Sequence, residues 1–371
     1  MTTPSGSQGL SVPKCYRAPD TAHRAVWTGR DDGPDPAARR WHQTVQFLDL
    51  AKQLEHFFDP TICIIGYASD QGVRLNQGRP GSAEGPMRLR ARMSPFPEVK
   101  GVTLLDGGDI VPGATVLETQ HALAWAVERI VRAGAMPVIL GGGHDMAFGH
   151  FLGVARARGR APACINFDAH LDMRPVGDEG PTSGTGFSQA MDWCHAHETP
   201  FRYAVLGTQR LANTVALFDR AHDAGALIVD VDGFALDTIE EVMDALNDEV
   251  VDEELCLSID LDVFSAAYAP GVSAPGIMGI VPDAAFRRLY RGILESERVM
   301  GVEIAELCPA LDLDDRTARL GAALIFEIAL ALMAMADDEA KADDEAGEGD
   351  DPSGDEDESG DEDEPGDDAR L

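Results

Sequence analysis

Four apolar segments of the sequence each end in side chains that can bind a metal ion. In chain order these side chains are His144 and Asp145, then Asp168, His170 and Asp172, then Asp260 and Asp262, and finally Glu306. Alternate residues of an extended chain point the same way, so Asp168, His170 and Asp172 can converge on one point. The same spacing lets Asp260 and Asp262 converge. A turn-forming role explains one aspartate after a strand, but several at separate strand ends indicate a metal site.

The candidate ligands combine four carboxylates with two imidazoles. Four carboxylates within a few ångströms would repel each other too strongly for all of them to stay ionised. Two divalent cations would balance their charge. A ligand set rich in oxygen, with two nitrogens and no thiolate, favours Mn²⁺ over Zn²⁺. Such a pair of ions lowers the pKa of a bridging water, and the resulting site favours a cationic electrophile such as an amidine or a guanidine.

The elements that would position these residues follow a β-α rhythm. The segments PVIL, ACINF, YAVLG, LIVD, LCLSID and MGVEIAEL are continuously apolar, as expected for strands covered on both faces. Residues 117–134 have the spacing of an amphipathic helix that stops at Gly134. We therefore predict an α/β fold of three layers, α/β/α, with a mostly parallel central sheet. Ligands of such sheets bind beyond the carboxyl ends of the strands, where the candidate ligands lie.

Composition restricts the partners and the domain organisation. Asp and Glu number 64 against 30 Lys and Arg, for a net charge of -34, so nucleic acid and anionic membrane surfaces are excluded as partners. We predict a polar N-terminal lead-in over 1–40 and one catalytic domain over 41–336, because no linker or repeat interrupts it. The acidic segment 337–371 has almost no apolar residues and is predicted to be a disordered, solvating tail.

The cysteines and the apolar segments predict a cytoplasmic protein. None of the six cysteines belongs to a CxxC pair, which is typical of reduced thiols, and the N-terminus has no apolar signal segment. The most apolar stretch, 320–336, carries Glu327 at its middle and is short for a bilayer. It is therefore predicted to be a buried C-terminal helix.

The motifs GGGHD, NFDAHLDMR, SIDLDVF and EIAEL resemble those of the ureohydrolase (arginase and agmatinase) superfamily over residues 61–336. The resemblance implies two Mn²⁺ per subunit and a homo-oligomer, a trimer or a hexamer. It implies one ion held by His144, Asp168, Asp172 and Asp260, and a second held by Asp168, His170, Asp260 and Asp262. Glu306 matches the superfamily's substrate-orienting glutamate, and Asp145 is expected to support the ligands from behind.

The loop after the D-x-H-x-D motif distinguishes between members of the superfamily. Phe187 stands where arginases and agmatinases carry a histidine that is thought to shuttle protons. The sequence resembles formimidoylglutamases in three segments. These are the pattern SGT-x-F-x-Q at 183–189 and the stretches 27–31 and 72–79. That resemblance implies hydrolysis of a small amidine, N-formimino-L-glutamate, to L-glutamate and formamide by attack of a metal-bridging hydroxide on the amidine carbon. The proton donor to the leaving amine stays open: the candidates are a water linked to Asp172, the bridging site itself, and His195 or His197, which lie close in sequence.

The carboxylates of that substrate require nearby cations in so acidic a protein. Bidentate pairing makes Arg74 and Arg79 candidates with Arg30 behind them, although pairing with surface acids is an equal alternative. Ser183 and Thr185 are further candidate substrate-binding residues. Two other functions stay open: another arginase- or agmatinase-like hydrolase of guanidino or amidino compounds, and a non-catalytic metal-binding protein that acts through its acidic tail.

Overall fold

Ten strands form one sheet in the computed structural model, which describes residues 11–250 and 253–347. The strands are Tyr16–Arg17 (β1), Gln46–Phe47 (β2), Thr61–Tyr67 (β3), Thr103–Ile110 (β4), Met136–Leu140 (β5), Ala163–Phe167 (β6), Tyr203–Thr208 (β7), Leu227–Asp230 (β8), Leu255–Asp260 (β9) and Val299–Ala305 (β10). Their order across the sheet is β1-β4-β3-β5-β10-β9-β6-β7-β8, and β2 also pairs with β4. All pairs are parallel except β1 with β4.

Eleven α-helices connect the strands in the described part of the chain. They are Thr21–Val26 (α1), Trp41–Thr44 (α2), Gln71–Leu75 (α3), Gly85–Met93 (α4), Val116–Arg132 (α5), Met146–Arg158 (α6), Gly186–Ala196 (α7), Val215–Asp223 (α8), Ile239–Glu249 (α9), Ala284–Leu294 (α10) and Arg316–Gly347 (α11). The predicted amphipathic helix over 117–134 is α5. Thr115 caps it by accepting from the backbone N–H of Glu118, and Gly134, with φ +82°, ends it.

Two apolar cores lie on opposite faces of the sheet. Side chains alternate along β3, so that Ile62 and Ile64 join one core while Cys63 and Ile65 join the other. Helices α4, α9, α10 and α11 cover the first core, and α5, α6, α7 and α8 cover the second. The predicted three-layer α/β/α fold with a mostly parallel sheet is therefore confirmed.

A buried ionic network holds part of the predicted lead-in against the sheet. Arg90 is fully buried and donates from Nε and Nη2 to the carboxylate of Asp106, both at 2.9 Å, and from Nη1 to Asp109 at 2.8 Å. Trp27 Nε1 donates to Asp106 at 3.0 Å, and His23 Nε2 lies 3.0 Å from Asp109. Burial opposes ionisation of Asp109, but Arg90 and His23 outweigh it and hold its pKa below the ordinary value.

The C-terminal helix α11 contains the apolar stretch that was predicted to form a buried helix. Ile325 and Ile328 are buried, whereas Phe326 and Leu330 are partly exposed. Within the described residues, Arg316–Asp338 is the one helical segment long and apolar enough to cross a membrane, a property that core helices share. The helix continues past the predicted tail boundary at 337, and residues 348–371 of the predicted tail lie outside the described residues. The predicted domain boundaries stay predictions.

We expect Arg90→Leu to lower the free energy of unfolding by about 3–5 kcal/mol, because it leaves two buried carboxylates without their partner. Arg92→Leu is the matched control, since Arg92 lies on the same helix and pairs with Asp315 at the surface. Its loss is expected to cost about 1 kcal/mol or less. Denaturant titration of both variants measures the difference. Equal losses would show that the buried network does not stabilise the fold.

Candidate metal centre

Three strands at the centre of the sheet bring the six predicted metal ligands together, and a fourth strand, β10, lies among them. Strands β5, β10, β9 and β6 lie side by side at the centre of the sheet. Because they are parallel, the residues that follow their carboxyl ends meet at one edge. The loop after β5 supplies one ligand, the loop after β6 supplies three, and the end of β9 supplies two; in that order they are His144, Asp168, His170, Asp172, Asp260 and Asp262.

The first group of ligands surrounds His144. Its Nδ1 atom lies 2.8 Å from Asp172 Oδ2, 3.2 Å from Asp168 Oδ2 and 3.3 Å from Asp260 Oδ2. All four residues are candidates to hold one ion, because one ligand atom from each lies within 4.8 Å of the others. Their side chains are largely buried, so bulk water contributes little screening between them.

The second group centres on His170. Its Nδ1 atom lies 3.1 Å from Asp262 Oδ2 and 3.4 Å from Asp168 Oδ1. Asp168 therefore presents a different oxygen to each histidine, which is the geometry of a bridging carboxylate. Asp260 joins the first group by ligand spacing but not the second. Its predicted role as a second bridge thus rests on the resemblance alone.

Hydrogen bonds from backbone N–H groups fix the orientation of two of these carboxylates. Asp168 Oδ1 accepts from the backbone N–H of His170 at 2.7 Å, and Asp260 Oδ1 accepts from that of Asp262 at 2.8 Å. Asp172 and Glu306 adopt left-handed backbone conformations, with φ of +45° and +64°. Such conformations cost free energy for residues other than glycine and are concentrated at functional sites.

Buried atoms without hydrogen-bond partners indicate that the pocket fits cations. Buried polar atoms are almost always hydrogen-bonded. In the part of the chain that the structure describes, His144 Nδ1, Asp262 Oδ1 and Glu306 Oε2 are buried and make no hydrogen bond. The Nδ1 atom of His144 is close to three carboxylates, yet none of them has the direction of a hydrogen-bond acceptor. A divalent cation would satisfy the atoms of His144 and Asp262, which belong to the ligand groups, and Glu306 Oε2 is open to a ligand in the cavity.

The side-chain pKa values agree with strong carboxylate repulsion. Burial and the charge of Asp168 raise the pKa of Asp172 to about 6, and burial together with Asp260 raises that of Asp262 well above its ordinary value. Asp262 and Asp168 raise the pKa of His170. When no cation is bound, Asp172 therefore keeps its proton up to about pH 6, and Asp262 and His170 hold theirs to a higher pH than the free side chains do. Metal binding must release those protons, so metal affinity rises with pH.

Glu306 and Asp145 lie close to the ligands in different ways. Glu306 is buried, lines the cavity over the ligands, and accepts from the backbone N–H of His144 at 2.9 Å through Oε1. Asp145 lies behind the ligands, where its Oδ2 atom accepts from Tyr67 Oη at 2.5 Å. Burial raises the pKa of Asp145 to about 7. Asp145 is therefore placed to support the site rather than to contact a substrate.

The predicted substrate arginines lie away from the cavity, which has a volume of about 200 Å³. Arg74 pairs with Asp70 four residues earlier, at 2.9 and 3.0 Å. Arg79 donates to the backbone carbonyls of residues 272 and 273, both at 2.7 Å. Arg30 is exposed and pairs with Asp32. Each arginine thus has a local partner, and none of the three lines the cavity.

The predicted loop residues divide between the cavity and the core. Ser183 lines the cavity, whereas Thr185 is buried and donates to the carbonyl of Thr182 at 2.9 Å. Phe187 is buried, stacks on Tyr203 at 4.5 Å and packs edge-on against His144 at 5.7 Å. The candidate proton donors also lie elsewhere, since neither His195 nor His197 lines the cavity.

Sequence reasoning missed Arg174, which lines the cavity together with Asn76, Asn213 and Ser273. Within the described residues its guanidinium makes no hydrogen bond or ion pair. Gly184 makes room for this side chain, because a Cβ at that position would lie 3.0 Å from Arg174 Cδ. The sequence could have indicated this residue, because Arg174 is the last residue of the NFDAHLDMR motif and lies two residues after Asp172.

Comparisons with known proteins agree with this geometry. The family model described as "Arginase family" matches residues 60–331. A formimidoylglutamase of Geobacillus kaustophilus is 38% identical over 322 residues, which cover 85% of this chain and 97% of that protein. A formimidoylglutamase of Nocardia farcinica is 41% identical over 308 residues, covering 81% and 95%. The two relatives are thus similar to this chain along almost their whole length.

Solved structures share the fold. A formimidoylglutamase of Bacillus subtilis superposes with a TM-score of 0.69 at 23% identity, covering 82% of this chain and 96% of its own. A formiminoglutamase of Trypanosoma cruzi, crystallised with Mn²⁺, superposes with a TM-score of 0.66 at 23% identity, covering 74% and 94%. At this level of identity the likeness establishes the fold.

The shared position of Asp168 predicts how metal content responds to substitution. We expect Asp168→Ala to lose both ions, because its two oxygens face the two histidines separately. Asp262→Ala removes a ligand from the second group only and is expected to keep one ion. Asp192→Ala, an exposed aspartate on α7, is the control and should keep two. Elemental analysis of gel-filtered protein measures the stoichiometry; equal metal loss in Asp168→Ala and Asp262→Ala would contradict the bridging geometry.

Proposed function

Because the chain belongs to the arginase family, we propose that it is a binuclear-metal hydrolase that cleaves N-formimino-L-glutamate to L-glutamate and formamide, a reaction of histidine degradation. The observation that carries the proposal is the convergence of the two ligand groups with Glu306 and Arg174 in one cavity. A carboxylate and a guanidinium that line the same cavity as the metal ligands fit a substrate that is an amidine at one end and acidic at the other.

We assign one ion to His144, Asp168, Asp172 and Asp260, and the other to Asp168, His170, Asp260 and Asp262. Mn²⁺ is the proposed metal, because the ligands are mostly oxygens and the Trypanosoma cruzi relative was crystallised with it. When bound, two such ions lower the pKa of a water molecule and neutralise the clustered carboxylates.

Glu306 is proposed to orient the formimino group. Its Oε1 atom is held by the backbone N–H of His144, which fixes the carboxylate in place. Its buried Oε2 atom makes no hydrogen bond within the described residues. That oxygen can accept from an N–H of the formimino group. Burial and the charge of Asp260 raise the pKa of Glu306 well above its ordinary value, so its negative charge, which would favour the more electrophilic protonated amidine, depends on bound cations.

Arg174 is proposed to hold a substrate carboxylate. Its planar guanidinium can pair with a carboxylate through two parallel hydrogen bonds, and Ser183 and Asn213 add polar groups to the same cavity wall. A cation in this cavity also disfavours the two alternative substrates, agmatine and arginine. Agmatine offers no carboxylate, and the single carboxylate of arginine is next to an α-ammonium group that weakens its attraction to Arg174.

Phe187 supports the same choice of substrate. It occupies the position of the expected shuttle histidine, is buried against His144 and Tyr203, and does not line the cavity. A phenyl ring neither accepts nor donates a proton at neutral pH. The proton for the leaving amine must therefore come from a group that lines the cavity, or from water.

We further propose a cytoplasmic homo-oligomer. All six cysteines are buried and free, as is typical of proteins in a reducing compartment. The resemblance of the motifs to a superfamily of trimers and hexamers supports an oligomer, and light scattering of the purified protein measures the number of subunits.

A substrate panel tests the proposed reaction. Protein loaded with Mn²⁺ is incubated with N-formimino-L-glutamate, L-arginine and agmatine, and formamide and urea are both measured. We expect formamide and glutamate in equal amounts from the first substrate and no urea from the others. Urea from arginine or agmatine would establish a different member of the family. Two bound metals without turnover of any amidine would favour the non-catalytic alternative.

Substitution of Arg174 tests the carboxylate contact. We expect Arg174→Ala to raise KM for N-formimino-L-glutamate by about 10- to 100-fold, the loss expected for a charged hydrogen bond of about 1.5–3 kcal/mol. Metal content should stay unchanged, because Arg174 is not a ligand. Arg210→Ala removes an exposed arginine that does not line the cavity and controls for the change in net charge. An unchanged KM in Arg174→Ala would exclude this residue as the clamp.

A further inference from the structure

A row of buried polar side chains crosses the sheet directly behind the metal ligands. Glu303 on β10 is in register with Ser258 on β9, and Ser258 is in register with Asn166 on β6. Register partners in a parallel sheet point to the same face. All three are at most 3% exposed, and the residues on either side of each along its strand belong to the apolar core.

Burial of polar groups in such strands costs free energy unless an interaction compensates for it. An unpaired hydroxyl, amide or carboxylate buried away from water costs free energy, and a charge costs more. An apolar residue at each position would fit the surrounding core without that cost. The contacts of the row indicate what its members do, since each lies against a metal ligand or against a residue that contacts one.

Two members of the row face the side of His144 that is turned away from the predicted metal. His144 Nε2 lies 2.7 Å from Ser258 Oγ, and Glu303 Oε1 lies 3.7 Å from the same nitrogen. The opposite nitrogen, Nδ1, faces the carboxylates of the first ligand group. A neutral imidazole carries its proton on one nitrogen only, so donation from Nε2 to this side leaves the Nδ1 lone pair free for a metal ion.

Asn166 and Glu303, the two outer members of the row, make further contacts. Asn166 Nδ2 donates to Asp168 Oδ2 at 3.1 Å, which is the oxygen that faces His144. Glu303 Oε2 lies 3.3 Å from Nδ1 of the buried His150. Gly301 leaves the space that His150 occupies, because a Cβ there would lie 2.6 Å from His150 Nε2.

We propose that Ser258, Glu303 and Asn166 are positioning residues that fix the tautomer of His144 and the direction of Asp168 before metal binds. The inference rests on the metal site of the proposed function but not on its substrate. None of the three side chains lines the cavity, so each acts through a ligand. A histidine free to rotate would have to be ordered by the ion, and that ordering would weaken metal affinity.

Calorimetric titration of the chelator-stripped full-length protein with Mn²⁺ alone tests the proposal. We expect Ser258→Ala and Asn166→Ala each to weaken Mn²⁺ binding by about 10- to 100-fold, the usual effect of losing a partner of a metal ligand. Glu303→Gln keeps the shape of the side chain and a polar group next to His144. Its Mn²⁺ affinity should therefore lie between that of Ser258→Ala and that of the parent protein.

Cys256→Ala separates positioning from packing. Cys256 lies on the same strand and the same face as Ser258, two residues earlier, and is buried in the apolar core. We expect it to lower the unfolding temperature while Mn²⁺ affinity stays at the parent value. Folded Ser258→Ala and Asn166→Ala proteins with parent Mn²⁺ affinity would overturn the proposal without affecting the proposed function. A parent protein that binds no Mn²⁺ would overturn both.

Discussion

Repulsion between neighbouring carboxylates governs the arrangement of the whole site. Asp168, Asp172, Asp260 and Asp262 lie in a pocket where they cannot all ionise without cations, and the raised pKa values of Asp172 and Asp262 express that conflict. The fold imposes their proximity, because β6 and β9 are neighbouring parallel strands and all four aspartates lie at or just after their carboxyl ends. Metal binding relieves the repulsion, so it is expected to stabilise the folded chain as well as to enable catalysis.

The convergence of the candidate ligands was predictable, because parallel strands end at one edge of the sheet. Alternation in extended chain is not how the structure aligns them, since Asp262 lies in a short 3-10 helix and Asp172 has a left-handed backbone. The substrate contacts depend on pairings that no local rule reveals. Arg74 is paired with Asp70 within its own helical turn, and Arg79 with carbonyls nearly two hundred residues away. Arg174 belongs to a recognised motif, but the left-handed turn at Asp172 that precedes it is visible only in the structure.

Polar residues inside apolar strands were an unused signal in the sequence. Asn166, Ser258 and Glu303 interrupt the runs ACINF, LCLSID and MGVEIAEL, and each lies next to the ligand shell. Asp106 and Asp109 similarly interrupt β4, where they bind Arg90 and two side chains of the lead-in. A buried polar residue in a strand needs a partner, so its presence predicts a polar contact even when the partner cannot be identified.

Substrate choice depends on short-range contacts rather than on the overall field. A net charge of -34 repels an anionic substrate, but salt screens that repulsion beyond about 8–10 Å. Inside the cavity the nearest charges decide, and Arg174 is the one arginine or lysine among the described residues that line it. The metal ligands alone would suit any amidine or guanidine. Arg174 and Glu306 both line this cavity, and a guanidinium together with a carboxylate beside the metal ligands fits an amidine joined to a carboxylate.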